Sequence, residues 1–250
     1  EPNELNSLVN NRVVSICGTQ NEIWIGTKGG ISVYSYLNNQ FNTRYFVNAK
    51  TSKSELIDFV VNEIRDHKSN IYIATAGKGL LYCAAKQKKI TQIPLYINGK
   101  LQWDYHVQGI DFDPSGNLWC SVPGVGLVTI DATSKKLSVV FSDVTGGGSV
   151  LYDKFSNVWV GIEGGLLKYN TKNRTHHVYA NQEIQYPISD LMCKPDKKEL
   201  WIATNGNGIV KYNYASDTFS SLFESLNEEK PNSNAITSLC LDNENRVWIG

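Results

Sequence analysis

Short runs of alternating apolar and polar residues, separated by Gly, Asn, Asp and Ser, fill this chain from end to end. Within them one phrase returns six times: an aliphatic residue, an aromatic, an aliphatic, a small residue, then a glycine turn and a second apolar run. It reads Ile23-Trp24-Ile25-Gly26-Thr27 with Gly29 and Gly30, then Ile71-Tyr72-Ile73-Ala74-Thr75 with Gly77 and Gly79. Leu118-Trp119-Cys120-Ser121 with Gly124 and Gly126 follows, then Val158-Trp159-Val160-Gly161 with Gly164 and Gly165. The fifth is Leu200-Trp201-Ile202-Ala203-Thr204 with Gly206 and Gly208, and the sixth is Val247-Trp248-Ile249-Gly250. Alternation with period two predicts strands, and the glycines predict tight turns between them.

The third repeat shows the grammar in full. Val107 to Phe112 reads as a strand and Asp113-Pro114-Ser115-Gly116-Asn117 as a turn; Leu118 to Val122 is the second strand. After Pro123 to Gly126 come a third strand, Leu127 to Ile130, a polar turn over Asp131 to Lys136, and a fourth strand, Leu137 to Phe141. Four short antiparallel strands, repeated every 40–50 residues or so, are the pattern of a β-propeller with one blade per repeat. The predicted fold is therefore all-β, one propeller region over 1–250. Its blades fall at about 8–50, 56–97, 105–141, 147–180, 186–223 and, in part, 235–250. Ser221 to Lys230 is the one stretch that could form a helical turn. Five and a half blades cannot close a ring in the usual way, so the expectation is a piece of a larger, seven-bladed propeller.

The recurring aromatics, Trp24, Tyr72, Trp119, Trp159, Trp201 and Trp248, are expected to pack between adjacent blades rather than to touch a ligand. The aspartates before them, Asp113, Asp153, Asp196 and Asp242, recur at turns and are expected to shape those turns.

The phrase [LIV]-W-[IV]-G/A-T-x-G-x-G-[LIV], with a preceding turn such as Asp242 to Arg246, resembles the two-component-regulator propeller repeat. The opening run from Leu5 to Ile16 is similar to that family's first blade. WD repeats would carry Gly-His and Trp-Asp dipeptides, and kelch repeats place the double glycine before the aromatics. The resemblance implies the periplasmic sensor region of a hybrid two-component histidine kinase in the inner membrane. Such a region responds to oligosaccharides and signals to a kinase outside this stretch, with any membrane anchor in segments absent here. It also leaves open a non-catalytic scaffold for protein partners, as in secretion-associated propellers. A homodimer is an assembly to test. The resemblance carries over no catalytic residues, and its ligand contacts cannot be mapped position by position.

Composition narrows the partners. The chain has 24 basic and 24 acidic residues, a formal net charge of zero, which argues against general binding of nucleic acid or anionic membrane. The basic runs Lys86-Gln87-Lys88-Lys89 and Lys197-Lys198 fall at expected hairpin turns. Five scattered cysteines without CxxC pairs give neither a disulfide framework nor a zinc site. Cys17, Cys193 and Cys240, inside apolar runs, are expected to be buried thiols. No run of 18 apolar residues is present.

Motifs for chemistry are missing from the sequence. There is no P-loop, no HExxH and no nucleophile elbow, and Gly146-Gly147-Gly148 reads as a connector rather than a phosphate cradle. His176 and His177 alternate faces on a strand and cannot easily share a metal. No enzyme, cofactor or metal is expected. What remains is binding by loops at one rim of the blades. Trp103 is the tryptophan the repeat does not require, in Gln102-Trp103-Asp104-Tyr105-His106 before the inner strand of the third blade. An aromatic beside amide, carboxylate and imidazole groups can stack on a sugar ring while they bond its hydroxyls. The candidate ligand set is Trp103, Asp104, Tyr105, His106, Arg44, Gln185 and Tyr186. Tyr45, Asn48, Lys50, Gln182, Lys28, Lys78, Glu163, Asn205 and Asn207 are expected around the same rim.

Overall fold

A computed structural model describes residues 6–84, 89–97, 99–133, 136–142, 145–194, 198–222 and 234–250. The expectations for 86–88, for Asp196 and Lys197, and for a helical turn reaching Lys230 fall at least partly outside these residues. Two compact units are present, Glu1–Val139 and Val140–Gly250. Each consists of short sheets, and among the described residues every named element is a strand.

In the first unit, β1 (Val13–Gly18), β2 (Glu22–Thr27), β3 (Gly30–Ser35) and β4 (Gln40–Thr43) form one antiparallel sheet in chain order. Of the next two strands, β5 (Tyr45–Val47) does not end the first blade as the sequence suggests, and β6 (Ser54–Leu56) falls mostly between the first two expected blades. They extend the second sheet, which continues through β7 (Val61–His67), β8 (Asn70–Thr75), β9 (Leu80–Cys83) and β10 (Ile90–Ile93). β5 runs parallel to β10, with Phe46 opposite Ile90, and burial of Phe46 and Ile57 explains why the chain crosses there. A hairpin not foreseen, β11 (Leu95–Ile97) with β12 (Lys100–Gln102), precedes the third sheet. That sheet is β13 (Gly109–Phe112), β14 (Leu118–Val122), β15 (Gly126–Ile130) and β16 (Leu137–Phe141).

The second unit holds β17 (Val150–Tyr152), β18 (Asn157–Ile162), β19 (Gly165–Asn170) and β20 (Thr175–Tyr179), in that order in one sheet. Another is β21 (Ile188–Lys194), β22 (Glu199–Thr204), β23 (Ile209–Asn213) and β24 (Thr218–Ser221). β25 (Leu239–Leu241) pairs with β26 (Val247–Ile249). Four antiparallel strands in chain order, sheet after sheet, are propeller blades.

The phrase of the sequence now has a physical cause at each position. In the first and fourth copies its aromatic is buried by the next blade, Trp24 clustering with Val61 and Ile64 of β7 and Trp159 with Ile188 and Leu191 of β21, whereas Trp248, expected to pack likewise, is 61% exposed. The small residue two places on lies under the same inner strand. A Cβ on Gly26 would stand 2.6 Å from Val61 Cγ1, and one on Gly161 2.9 Å from Ile188 Cβ. The threonine closes the turn. Buried Thr27, Thr75 and Thr204 donate to the carbonyls of Gly30, Gly79 and Gly208 at 2.9, 2.6 and 2.9 Å. The same hydroxyls accept from the amides of Gly29, Lys78 and Asn207.

In the third blade the small position is Ser121, fully buried, whose Oγ has no partner among the described residues. A buried hydroxyl without a hydrogen bond costs free energy. Ser121→Ala is therefore expected to leave stability unchanged or raise it by about 1 kcal/mol. Chemical denaturation of the two proteins checks this, and a loss of more than 1 kcal/mol would contradict the orphaned hydroxyl.

The inner strands are linked by a feature the sequence did not announce. β1, β7 and β21 each carry a register shift, at Val13/Ser15, Val61/Glu63 and Ile188/Asp190. The residue after each shift accepts a backbone N–H from the inner strand of the following blade. Ile64 donates to Ser15 Oγ at 2.9 Å, Ile110 to Glu63 Oε2 at 2.7 Å and Leu239 to Asp190 Oδ2 at 2.8 Å. A bulge re-aims a side chain, and here it aims one across to the neighbouring strand.

Cysteine placement corrects one expectation. Cys240 is exposed because period two turns Leu239 and Leu241 into the core and Cys240 away from it. Cys17 and Cys193 are only half-buried, while Cys83 and Cys120 are the buried thiols. His176 and His177 lie on exposed β20, as expected.

Candidate functional site

Five of the six tryptophans are held by a carboxylate of their own repeat. Trp119, Trp159 and Trp248 donate Nε1–H to Asp113, Asp153 and Asp242 at 3.2, 2.7 and 2.9 Å. Trp24 and Trp201 donate instead to Glu22 and Glu199, two residues earlier, at 3.2 and 3.0 Å. The turn aspartates do shape their turns: Asp153 accepts from the backbone N–H groups of Phe155 and Asn157, both at 2.8 Å. They also anchor the indoles, a second duty that the spacing Asp-x5-Trp encodes.

Trp103 is the exception. It is half-buried on the bend after β12, and its indole N–H has no partner among the described residues. The group beside it is charged. Asp104 accepts hydrogen bonds from Lys50 and also lies 3.5 Å from Lys78 Nζ. Chiefly the Lys50 hydrogen bond, and then the charge of Lys78, hold the Asp104 carboxyl below its usual range. Lys50 sits in the turn between β5 and β6, and Lys78 in the turn between β8 and β9. Gln92 of β10 braces both turns, accepting from the Ala49 amide at 2.9 Å and donating to the Lys78 carbonyl at 3.2 Å.

The rest of the Trp103 segment is fastened to the blades. Tyr105 donates its hydroxyl to the Ile93 carbonyl at 2.7 Å, and burial pushes that hydroxyl's pKa up. Its ring lies against Gly79, where a Cβ would come within 2.5 Å of it at a φ of +69°. His106 Nε2 stands 3.0 Å from Asn62 Nδ2 and 2.9 Å from Gln108 Oε1, which gives a half-buried polar group at the start of the inner strands β7 and β13. Asn62 also donates to the Val107 carbonyl at 2.8 Å. Trp103, Asp104, His106, Lys50 and Lys78 thus share one region of the first unit, with Tyr105 as its support.

Arg44 is engaged elsewhere. Its guanidinium pairs with Glu22 at 2.9 Å and lies 5.3 Å from the Trp24 ring centroid, inside the tryptophan packing of the first blade. Gln185 and Tyr186 belong to the second unit. Tyr186 covers Gly206, while Gln185 and Glu163 border a cavity of about 290 Å³ over Gly146, Gly147 and Gly148. Asn207 donates to the Glu183 carbonyl at 2.9 Å. The sequence missed Asn62 and Gln108, and it did not bring Lys50 and Lys78 to Asp104, because these partners are far apart along the chain.

Among the described residues no group of three or more His, Cys, Asp or Glu could hold a metal ion. No curated protein matches the chain. Among solved structures, the extracellular domain of BT3049 from B. thetaiotaomicron, described as a hybrid two component system, superposes with a TM-score of 0.77 at 21% identity. The match covers 99% of this chain and 33% of that one. The extracellular domain of BT4673 from the same organism gives 0.74 at 19% identity, over 97% of this chain and 33% of that one. PorZ of Porphyromonas gingivalis, a surface component of the type-IX secretion system, gives 0.65 at 16% identity, over 100% of this chain and 40% of that one. The chain therefore spans a third to two fifths of these three solved chains, and the likeness is one of fold. The family described as the two component regulator propeller matches residues 230–250. The chain thus has a β-propeller fold, and within it residues 230–250 match the two-component-regulator propeller repeat.

Proposed function

We propose that this propeller is the periplasmic ligand-sensing region of a hybrid two-component system and that it binds an oligosaccharide at Trp103, without catalysing a reaction. The observation that carries the reading is the unpartnered indole. Every repeat tryptophan spends its N–H on a carboxylate, whereas the indole N–H of half-buried Trp103 has no partner among the described residues, and the charged Asp104 follows it in the chain. A partly exposed aromatic face with donors and acceptors around it suits a sugar ring. The fold match to two extracellular sensor domains supports the placement outside the cytoplasm and the relay to a kinase.

Isothermal titration of the chain against a panel of oligosaccharides tests this. Trp103→Ala is expected to weaken binding by roughly tenfold or more, about 1.4 kcal/mol, with an unchanged circular dichroism spectrum. The likeness to PorZ favours a second reading, a scaffold that docks a protein partner. Binding of no saccharide together with a stoichiometric co-purifying protein would select that reading.

A further inference from the structure

We infer that the Trp103 site selects acidic saccharides, sugar chains that carry carboxylate or sulfate groups. The inference rests on the reading of Trp103 as a ligand platform and adds the chemistry of the ligand. The chain as a whole is neutral, yet this corner is not. Two ammonium groups, Lys50 and Lys78, converge on the single carboxylate of Asp104, the residue next to Trp103 in the chain, so this ion-pair cluster carries one positive charge in excess. Asp104 is the one salt-bridge partner of either lysine among the described residues. Glu55 of β6 accepts from Thr51 Oγ1 at 3.2 Å.

All three groups remain open to solvent, with side-chain exposures of 54% for Lys50, 36% for Lys78 and 37% for Asp104. Each lysine has three donors, and Asp104 does not use them all. The arrangement holds two cations at a spacing already suited to one carboxylate. An anionic group on a sugar stacked at Trp103 can share the lysines with Asp104 or displace it. A neutral sugar would gain the stacking but nothing from the excess charge. The turns that carry the lysines are fixed through Gln92, so little ordering is needed on binding.

The test uses the chain with three tetrasaccharide probes: tetragalacturonate, a chondroitin sulfate tetrasaccharide and neutral maltotetraose. At least one acidic probe is expected to bind tighter than maltotetraose and to lose affinity as sodium chloride rises. Lys50→Ala and Lys78→Ala should each weaken that probe by roughly two- to fivefold, as suits exposed ion pairs. Asp104→Asn should strengthen it. The galacturonate and chondroitin sulfate arms separate carboxylate from sulfate recognition. If maltotetraose binds as tightly, with the lysine variants unchanged and Trp103→Ala weakened, selection of acidic sugars is wrong while the platform stands. If no probe binds, or Trp103→Ala binds as wild type does, both fall.

Discussion

Trp159→Ala is expected to remove about 3–5 kcal/mol of folding free energy, and Trp248→Ala, at the matching position, less than about 1 kcal/mol. The two residues occupy the same place in the same phrase, but Trp159 is 0% exposed and Trp248 61%. Trp159 lies among Tyr179, Tyr212 and Tyr214, with centroids 6.1, 4.9 and 6.0 Å away, and Lys168 Nζ stands 5.1 Å from its ring centroid. Alanine would leave a cavity walled by aromatic rings that cannot collapse into it. It would also leave Asp153 with one donor fewer, although Asn157 and Tyr214 still bind that carboxylate at 2.9 and 3.0 Å. Trp159→Phe keeps most of the buried area and loses the 2.7 Å indole bond, so its cost should be nearer 1–2 kcal/mol. Urea denaturation of the three variants reads these differences. Equal losses at 159 and 248 would show that the tryptophans stabilise their own sheets rather than the joint between blades.

Gly26→Val is expected to destabilise the first unit by about 2–3 kcal/mol, although valine is the better strand residue. Strand propensity favours the change by less than 1 kcal/mol or so, and the clash decides the sign. The new Cβ would meet Val61 Cγ1 at 2.6 Å and Ile64 Cδ1 at 3.2 Å, and Val61 is itself fully buried with nowhere to retreat. Val61→Ala opens a cavity and costs stability alone, yet it makes room for the added valine. The pair should thus be less destabilised than the sum of the single changes, by 1 kcal/mol or so. Additive losses, or a neutral Gly26→Val, would mean that β2 and β7 are not in the close contact described.

The blades were legible in the sequence because each is made locally. Period-two alternation, glycine turns and the spacing of the aromatics all lie within one repeat, and Trp24, Trp159 and Trp201 are buried as that spacing implies. The crossing of β5 to β10 was not legible, because nothing in Tyr45-Phe46-Val47 names Ile90 as its partner. The site was half legible. Trp103 stood out by breaking the repeat, but Lys50 and Lys78 reach Asp104, the next residue, only through turns of another sheet. Arg44 misled for the converse reason: its position at a strand end suggested a rim, while Glu22 and Trp24 draw it into the packing. The carboxylate anchors could have been read, since Asp-x5-Trp and Glu-x-Trp both recur.

The pins between inner strands tie the segment proposed to bind a ligand to more than one sheet. β13 begins three residues after His106, and its Ile110 amide is held by Glu63. The next residue, Ile64, is held in turn by Ser15 of β1. These two bonds stand in series, because Glu63 and Ile64 are consecutive on one strand. A pull on the Trp103 segment is therefore a load on β13, then on β7, then on β1. If Trp103 binds a ligand as proposed, a single contact there would load the inner edges of three sheets without any one of them having to unfold.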